Sequence, residues 1–161
     1  MPRHPRFEEA GAIHHVFARG NRAAAIFLDD EDRQTYLRLT GRTVRRVGWN
    51  CLAYCLMTNH VHLVVETPKP NLGHGMQLLH SRYARHFNDR YRMVGRMFQS
   101  RFGSKRIVDD VHLITTLRYV DANPVEAGLV GTPDVWPWSS RGTATQPPWL
   151  AVTRLAELLD L

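Results

Sequence analysis

The stretch MTNHVHLVVE, residues 57–66, decides the fold, because it places two histidines one residue apart and continues as a strand-like segment. Side chains on a β-strand alternate between the two faces of a sheet. His60 and His62 therefore project from one face, and Val61 and Leu63 from the other. Two imidazoles side by side at a sheet surface either bind a metal ion or simply pack there, and the stretch alone leaves both possibilities open.

The segments around this stretch predict an α+β fold. Strands are predicted over residues 13–18, 49–57 and 60–66, with a strand or hairpin over 97–108. A tight turn at Asn59 joins the second and third strands as a hairpin. Helices are predicted from the acidic run at 29–32 to Gly48, over 73–90, from 109 to a stop at Pro124, and over 152–159. Short turns between strands favour a central antiparallel β-sheet with helices packed on it.

Length and composition are those of one globular domain, with 161 residues, 43% hydrophobic and 22% charged. The amino terminus has no apolar run that would predict a signal peptide, and no later stretch is long enough to span a bilayer. Cys51 and Cys55 are the only cysteines, and we expect reduced core residues rather than metal ligands. These features predict a cytoplasmic protein with no membrane partner.

The charge distribution favours a nucleic-acid partner. The net charge is +6, and all but two of the 21 basic residues are arginine. Residues 82–106 contain eight basic residues and a single acid, Asp89, so this segment alone is more positive than the whole chain. Arginine binds phosphates bidentately and stacks on bases. A compositional bias toward arginine is the alternative, but a local stripe is better explained by binding.

The predicted third helix carries polar residues beside a buried stripe formed by Leu113, Leu117 and Val120. Tyr119 and Asn123 lie one turn apart on the neighbouring face, which also contains His112 and Thr116. A lone tyrosine on a helix is ordinarily a packing residue, and an asparagine before proline ordinarily ends a helix. Beside two histidines, however, an amide oxygen could complete a metal site with open positions, and a phenol could attack a phosphate there.

The order of several motifs resembles that of the REP-associated tyrosine transposases, a branch of the single-tyrosine HUH (His-hydrophobe-His) transposases. The motifs are HHVFARGNR, AYCLMTNHVHLVVETP, YARHFNDRY, FQSRF and RYVDANPVEAGLV followed by WPWSS. The resemblance covers roughly residues 3–141 and implies the ferredoxin-like HUH nuclease fold. It implies a catalytic domain over residues 1–141, and a tail over 142–161 whose short helix packs on the same domain.

The resemblance also implies a function: metal-dependent cleavage and strand transfer of single-stranded hairpin DNA through a 5′-phosphotyrosine intermediate. By position, Tyr119 is the nucleophile, and His60 and His62 are ligands of Mg²⁺ or Mn²⁺. Asn123 is the third ligand, although other members of the wider family have Gln, Glu or His in that role. His112 is a candidate general base, and His15 either supports a ligand or is simply buried.

Further residues are predicted to contact DNA, namely Arg19, Asn21 and Arg22 after the first strand, Arg82 and Arg85 in the second helix, and Arg101 and Lys105 beyond it. We expect a bacterial, nucleoid-associated protein that works as a monomer or homodimer. The alternative function is a non-cleaving hairpin-DNA binding or regulatory protein derived from a transposase. A zinc hydrolase is disfavoured, because a third His or Cys ligand and a general-base Glu are missing near the histidines.

Overall fold

The centre of the structure, a computed structural model that describes residues 8–142 and 146–160, is a four-stranded antiparallel sheet. Its strands are β1 (Ala12–Arg19), β2 (Asn50–Leu56), β3 (His60–Thr67) and β4 (Gly103–Ile107). They lie in the order β2-β3-β1-β4, so that β3, which carries both histidines, is paired on both sides. The predicted α+β fold with a central antiparallel sheet is confirmed.

Four α-helices pack around the sheet in the described ranges. They are α1 (Asp30–Val47), α2 (Leu72–Tyr91), α3 (Asp110–Glu126) and α4 (Val152–Leu158). The predicted acidic starts of two helices are confirmed, because Asp29 accepts a bond from the Asp32 N–H and Asp109 from the His112 N–H. Short 3-10 turns lie at Asn21–Ala23 and Pro133–Val135. None of the described helices is long and apolar enough to cross a membrane.

Two predicted boundaries are wrong. Pro124 does not stop α3, which continues to Glu126. Proline lacks only its own N–H. The Ala127 N–H still donates to the Asn123 carbonyl at 3.0 Å, so the last helical turn forms in spite of Pro124. The predicted strand over 97–108 is shorter, because only Gly103–Ile107 pairs continuously with β1, while Phe98 makes an isolated bridge to Gly20.

The two faces of the sheet carry different helices. Val61, Leu63 and Val65 belong to the core cluster that contains the buried residues of α1 and α2. Val64 belongs to a second cluster with Leu113 of α3, against which α4 also packs. His60 and His62 share the face of Val64 because side chains alternate along β3. The histidines therefore lie under α3, the helix of Tyr119 and Asn123.

Residues 1–7, 143–145 and 161 lie outside the described residues, so the predicted domain limits at 1–141 and 142–161 stay predictions. Cys51 and Cys55 are buried free thiols in β2, as expected. Burial raises the pKa of each thiol to about 12, so both are protonated at neutral pH.

Candidate active site

A cavity of about 570 Å³, here called the site cavity, lies between the histidine face of the sheet and α3. The strand register places Arg19 opposite His60, and therefore on the same face. The walls bring together the predicted nucleophile, the three predicted metal ligands and two of the predicted DNA contacts: Tyr119, His60, His62, Asn123, Arg19 and Lys105. Residues more than 60 positions apart in the sequence thus share one concave surface.

The His60 ring is held by Asn59. Its Nδ1 lies 2.8 Å from Asn59 Oδ1, and Asn59 Nδ2 donates to the Ala23 carbonyl at 3.3 Å. Since the amide nitrogen is engaged by a carbonyl, the amide oxygen faces the ring, and His60 Nδ1 must be the donor. Burial lowers the pKa of His60 below its usual value, which favours the neutral ring. In that ring Nε2 carries a lone pair.

Asn123 presents a second acceptor to the same point. Its Nδ2 donates to the Tyr119 carbonyl at 2.9 Å, which leaves Oδ1 free to face the cavity. This oxygen lies 3.4 Å from His60 Nε2. With the proton of His60 on Nδ1, two lone pairs face each other with no hydrogen between them. A cation bound by both atoms would relieve this arrangement.

His62 supplies a buried nitrogen without a partner. Its Nδ1 lies 2.9 Å from His15 Nε2, whereas its Nε2 has no hydrogen-bond partner among the described residues. Burial lowers the pKa of His62 to about 3, and the nearby His15 and His60 rings lower it further, because a positive charge on either would oppose one on His62. The ring is therefore neutral. If Nδ1 donates to His15, the orphaned Nε2 is an acceptor, as a metal ligand must be.

These observations fit the divalent ion that the resemblance of the sequence motifs implies. The donor set is two imidazole nitrogens and an amide oxygen, which leaves positions open for a substrate. The described residues contain no cluster of three His, Cys, Asp or Glu side chains that could hold a metal. The set therefore depends on the Asn123 amide as its third member.

Tyr119 is the tyrosine that the structure leaves accessible at this site. The residue is 49% exposed, and its ring makes T-shaped contacts with the His15 and His62 rings, with centroids 5.8 and 5.6 Å apart. Tyr36, Tyr54 and Tyr83 are fully buried. A nucleophile must reach a DNA phosphate, so burial excludes these three.

His112 lines the site cavity, but its hydrogen bond does not suit a general base. The Val108 N–H donates to His112 Nδ1 at 3.2 Å. The lone pair of Nδ1 is thus engaged, and Nε2 is the nitrogen that carries a proton. His112 Nε2–H is therefore a hydrogen-bond donor rather than an acceptor in this arrangement.

The predicted DNA contacts fall into two groups. Arg19 and Lys105 line the site cavity, and Asn21 and Arg22 lie in the 3-10 turn just after β1. The others lie away from this face: Arg82 and Arg85 are exposed on α2, which packs on the opposite face of the sheet, and Arg101 lines a separate cavity beside α2.

The structure also shows which predicted positive charges are already neutralised. Arg90 binds the carboxylates of Asp29 and Asp32 at 2.7 Å, and Arg106 pairs with Glu9. These two arginines of the basic segment already form ion pairs within the protein. In the sequence, only the acidic run at residues 29–32 could have indicated that Arg90 has an ion-pair partner within the protein.

Sequence reasoning treated Asn59 only as a turn residue and left His15 undecided. Both prove to contact a candidate ligand, Asn59 through His60 and His15 through His62. The periodicity of helices and strands does not predict these contacts. The contact of Asn59 with His60 joins adjacent residues, and the contact of His15 with His62 joins two different strands.

Comparison with known proteins agrees with this fold. A family model described as IS200-like transposase matches residues 9–123, a span that includes Tyr119 and all three candidate ligands. The chain therefore belongs to the IS200-like transposase family. This confirms, at the level of the family, the relationship that the sequence motifs indicated.

Two solved structures share the fold. One is a REP-associated tyrosine transposase bound to a REP hairpin, with a TM-score of 0.73 and 17% identity over 87% of this chain and 82% of that chain. The other is a putative transposase from Deinococcus radiodurans R1, with a TM-score of 0.52 and 13% identity over 74% and 96% of the two chains. No curated protein matches the chain. The predicted HUH-type fold is thus confirmed.

Proposed function

We propose that the protein is a metal-dependent single-stranded DNA endonuclease and strand transferase that acts on hairpin DNA through a 5′-phosphotyrosine intermediate. One observation carries the proposal: an accessible tyrosine shares a cavity with an unpartnered His62 nitrogen and with two facing acceptors, His60 Nε2 and Asn123 Oδ1. Membership of a transposase family supports the reaction class. The hairpin held by the structural neighbour supports the substrate.

Three atoms would hold the ion, namely His60 Nε2, His62 Nε2 and Asn123 Oδ1. When bound, Mg²⁺ or Mn²⁺ supplies positive charge that polarises a phosphate and favours the phenolate. Arg19 and Lys105, on the same cavity wall, bind the phosphates that flank the cleavage point. Their positive charges also offset the charge that develops during attack.

The covalent step uses Tyr119 Oη. This oxygen forms a bond to phosphorus, and the bond between phosphorus and the 3′ oxygen breaks. The phenol proton passes to water, and the departing oxygen takes up a proton to become a 3′ hydroxyl. The new phosphotyrosine ester retains the energy of the broken phosphodiester. A later 3′ hydroxyl can therefore reverse the step and join strands without a nucleoside triphosphate.

The hairpin stem would lie on a second region, here called the arginine surface, formed by Arg82, Arg85, Arg96 and Arg101. Arg96 and Arg101 line a shallow cavity of about 750 Å³ with Ala84 of α2. Within the described ranges the only ion pair of this surface is a 3.9 Å contact between Arg85 and Asp89. These guanidinium groups are thus available for phosphates.

The reaction is tested by incubating the protein with end-labelled single-stranded hairpin DNA from its genomic neighbourhood and Mn²⁺. We expect a labelled adduct that survives denaturing electrophoresis and is absent with Tyr119→Phe. Tyr91→Phe is the matched control, because Tyr91 donates to Asp32 away from the cavity, and it should keep the adduct. Tight binding to such hairpins without any adduct would instead establish the non-cleaving hairpin-binding protein.

A further inference from the structure

We propose that Asn59 is a positioning residue that selects the Nδ1–H tautomer of His60 and so keeps the Nε2 lone pair available to a divalent ion. The inference deepens the proposed function and rests on it where metal binding is concerned. It assigns a role to the side chain immediately before the two histidines, which the proposed chemistry does not otherwise use.

The orientation of the Asn59 amide is fixed from both ends. Nδ2 donates to the Ala23 carbonyl at 3.3 Å, and Oδ1 lies 2.8 Å from His60 Nδ1. A flipped amide would place its oxygen against the Ala23 oxygen, and its NH₂ group against His60. The main chain adds to this restraint, because the Gly20 N–H donates to the Asn59 carbonyl at 2.9 Å.

Ala23 is itself held in an unusual position. Arg22 and Ala23 both have left-handed backbones, with φ of 56° and 59°. The turn is closed by the Ala23 N–H, which donates to the Gly20 carbonyl, and by the Ala24 N–H, which donates to the Asn21 carbonyl. A constrained turn thus presents the carbonyl that orients Asn59.

The tautomer of His60 matters because Asn123 lies next to the Nε2 side of the ring. Asn123 Oδ1 is 3.4 Å from His60 Nε2, and its own amide nitrogen is engaged by the Tyr119 carbonyl. A proton on Nε2 would point at this oxygen and occupy both candidate ligand atoms with one hydrogen bond. A proton on Nδ1 leaves both atoms free. The hydrogen bond to Asn59 therefore decides whether the donor set is open.

The tautomer can be measured directly in the metal-free protein, from the long-range ¹H–¹⁵N couplings of the His60 ring. We expect Nδ1–H in the natural protein. Asn59→Ala removes the acceptor and should shift the ring toward Nε2–H. Asn59→Asp keeps an acceptor oxygen beside Nδ1 but loses the donor to Ala23, so it should keep Nδ1–H. The matched control is Asn88→Ala, which removes an amide bonded to Gly95 and not to a histidine.

The affinity for a metal ion is a second test of the role of Asn59. With Mn²⁺ as the probe in calorimetric titrations, we expect Asn59→Ala to bind about 10–100-fold more weakly. Asn59→Asp should bind at least as tightly as the natural protein, and Asn88→Ala should be unchanged. Equal losses in the Ala and Asp variants would overturn the proposal, because Asn59 would then act only by holding Ala23.

The outcomes separate this inference from the proposed function. An Nε2–H tautomer of His60 in the natural protein would overturn the role of Asn59 even if neither variant folds. A natural protein with Nδ1–H that binds no Mn²⁺ would refute metal-dependent cleavage, and would leave the selection of the tautomer by Asn59 supported.

Discussion

At the scale of single residues, the candidate ligand atoms are distinguished by the hydrogen bonds they lack. His62 Nε2 is buried and unpartnered in the described structure, although a buried polar atom without a partner ordinarily destabilises a fold by about 1–3 kcal/mol. Folding alone would not favour such an atom. A bound ion would give this nitrogen a partner, which supports the proposed metal site.

The unpartnered nitrogen of His62 predicts the behaviour of His62→Asn. The new amide keeps a donor for His15 Nε2 and removes the unpartnered nitrogen, so we expect the free energy of unfolding of the metal-free protein to fall by about 1 kcal/mol or less. Mn²⁺ should raise the melting temperature of the natural protein but not that of the variant. An equal rise in both, measured by thermal denaturation, would show that His62 is not a ligand.

His15 and its neighbour His14 offer a matched pair on opposite faces of β1. His15 Nε2 lies 2.9 Å from His62 Nδ1, whereas His14 Nε2 is buried on the other face without a hydrogen-bond partner among the described residues. His15→Phe leaves His62 Nδ1 without its partner and should lower Mn²⁺ affinity about 10–100-fold. His14→Phe removes an unsatisfied atom and should leave Mn²⁺ affinity unchanged. Calorimetric titration of both variants checks this, and equal losses would contradict it.

At the scale of helices and strands, the features that the sequence predicted correctly are those set by residues close together in the chain. The alternation of His60 and His62 with apolar residues placed both rings on one face, and the acidic caps placed the starts of α1 and α3. The continuation of α3 past Pro124 depends on the bond from Ala127 to Asn123, which no propensity encodes.

Contacts between distant elements were beyond sequence reasoning for a different reason. Arg90 appeared as part of a basic stripe, yet it is bound by Asp29 and Asp32 at the start of α1. The pairing of His15 with His62 depends on the register between β1 and β3, and on which histidine of the His14–His15 pair faces the site. Such pairings are set by tertiary structure, and a single sequence does not specify them.

The packing of α4 predicts a dependence of stability on pH. Arg154 of α4 makes two bonds of 2.9 Å to Glu66 of β3, and these bonds hold the pKa of the Glu66 carboxyl below its usual value. A lowered pKa means that the contribution to stability is present above the unfolded pKa of about 4.3, and is lost as the pH falls through the folded value.

We therefore expect the melting temperature to fall as the pH is lowered from about 6 toward 3, and to fall less steeply in Arg154→Ala. Thermal denaturation across this range measures the difference. Parallel curves for the two proteins would show that Glu66 and Arg154 do not contribute to the acid response.

At the scale of the whole molecule, the sheet separates the site cavity proposed for cleavage from the arginine surface proposed for stem binding. The site cavity lies on the α3 face, and α2, which carries Arg82 and Arg85 of the arginine surface, packs on the other. Cleavage and stem binding should therefore respond to different substitutions. Removing an arginine that binds a phosphate weakens binding in a salt-dependent way, whereas removing a catalytic group slows the reaction of the bound complex.

Arg82→Ala combined with Arg85→Ala tests this separation. We expect weaker hairpin binding, and a slope of log affinity against log salt that is shallower by about 0.9 for each phosphate that the variant no longer neutralises. The rate of adduct formation at saturating DNA should be unchanged. Fluorescence anisotropy at several salt concentrations and single-turnover cleavage measure the two quantities. An unchanged salt dependence would place the hairpin elsewhere.

The most direct measurement of the central claim is the identity of the residue that carries the DNA. The protein is reacted with hairpin DNA and Mn²⁺, digested with nuclease and protease, and analysed by mass spectrometry. We expect a nucleotide attached through its 5′ phosphate to Tyr119. A nucleotide on any other residue, or cleaved DNA with no linked peptide, would contradict it.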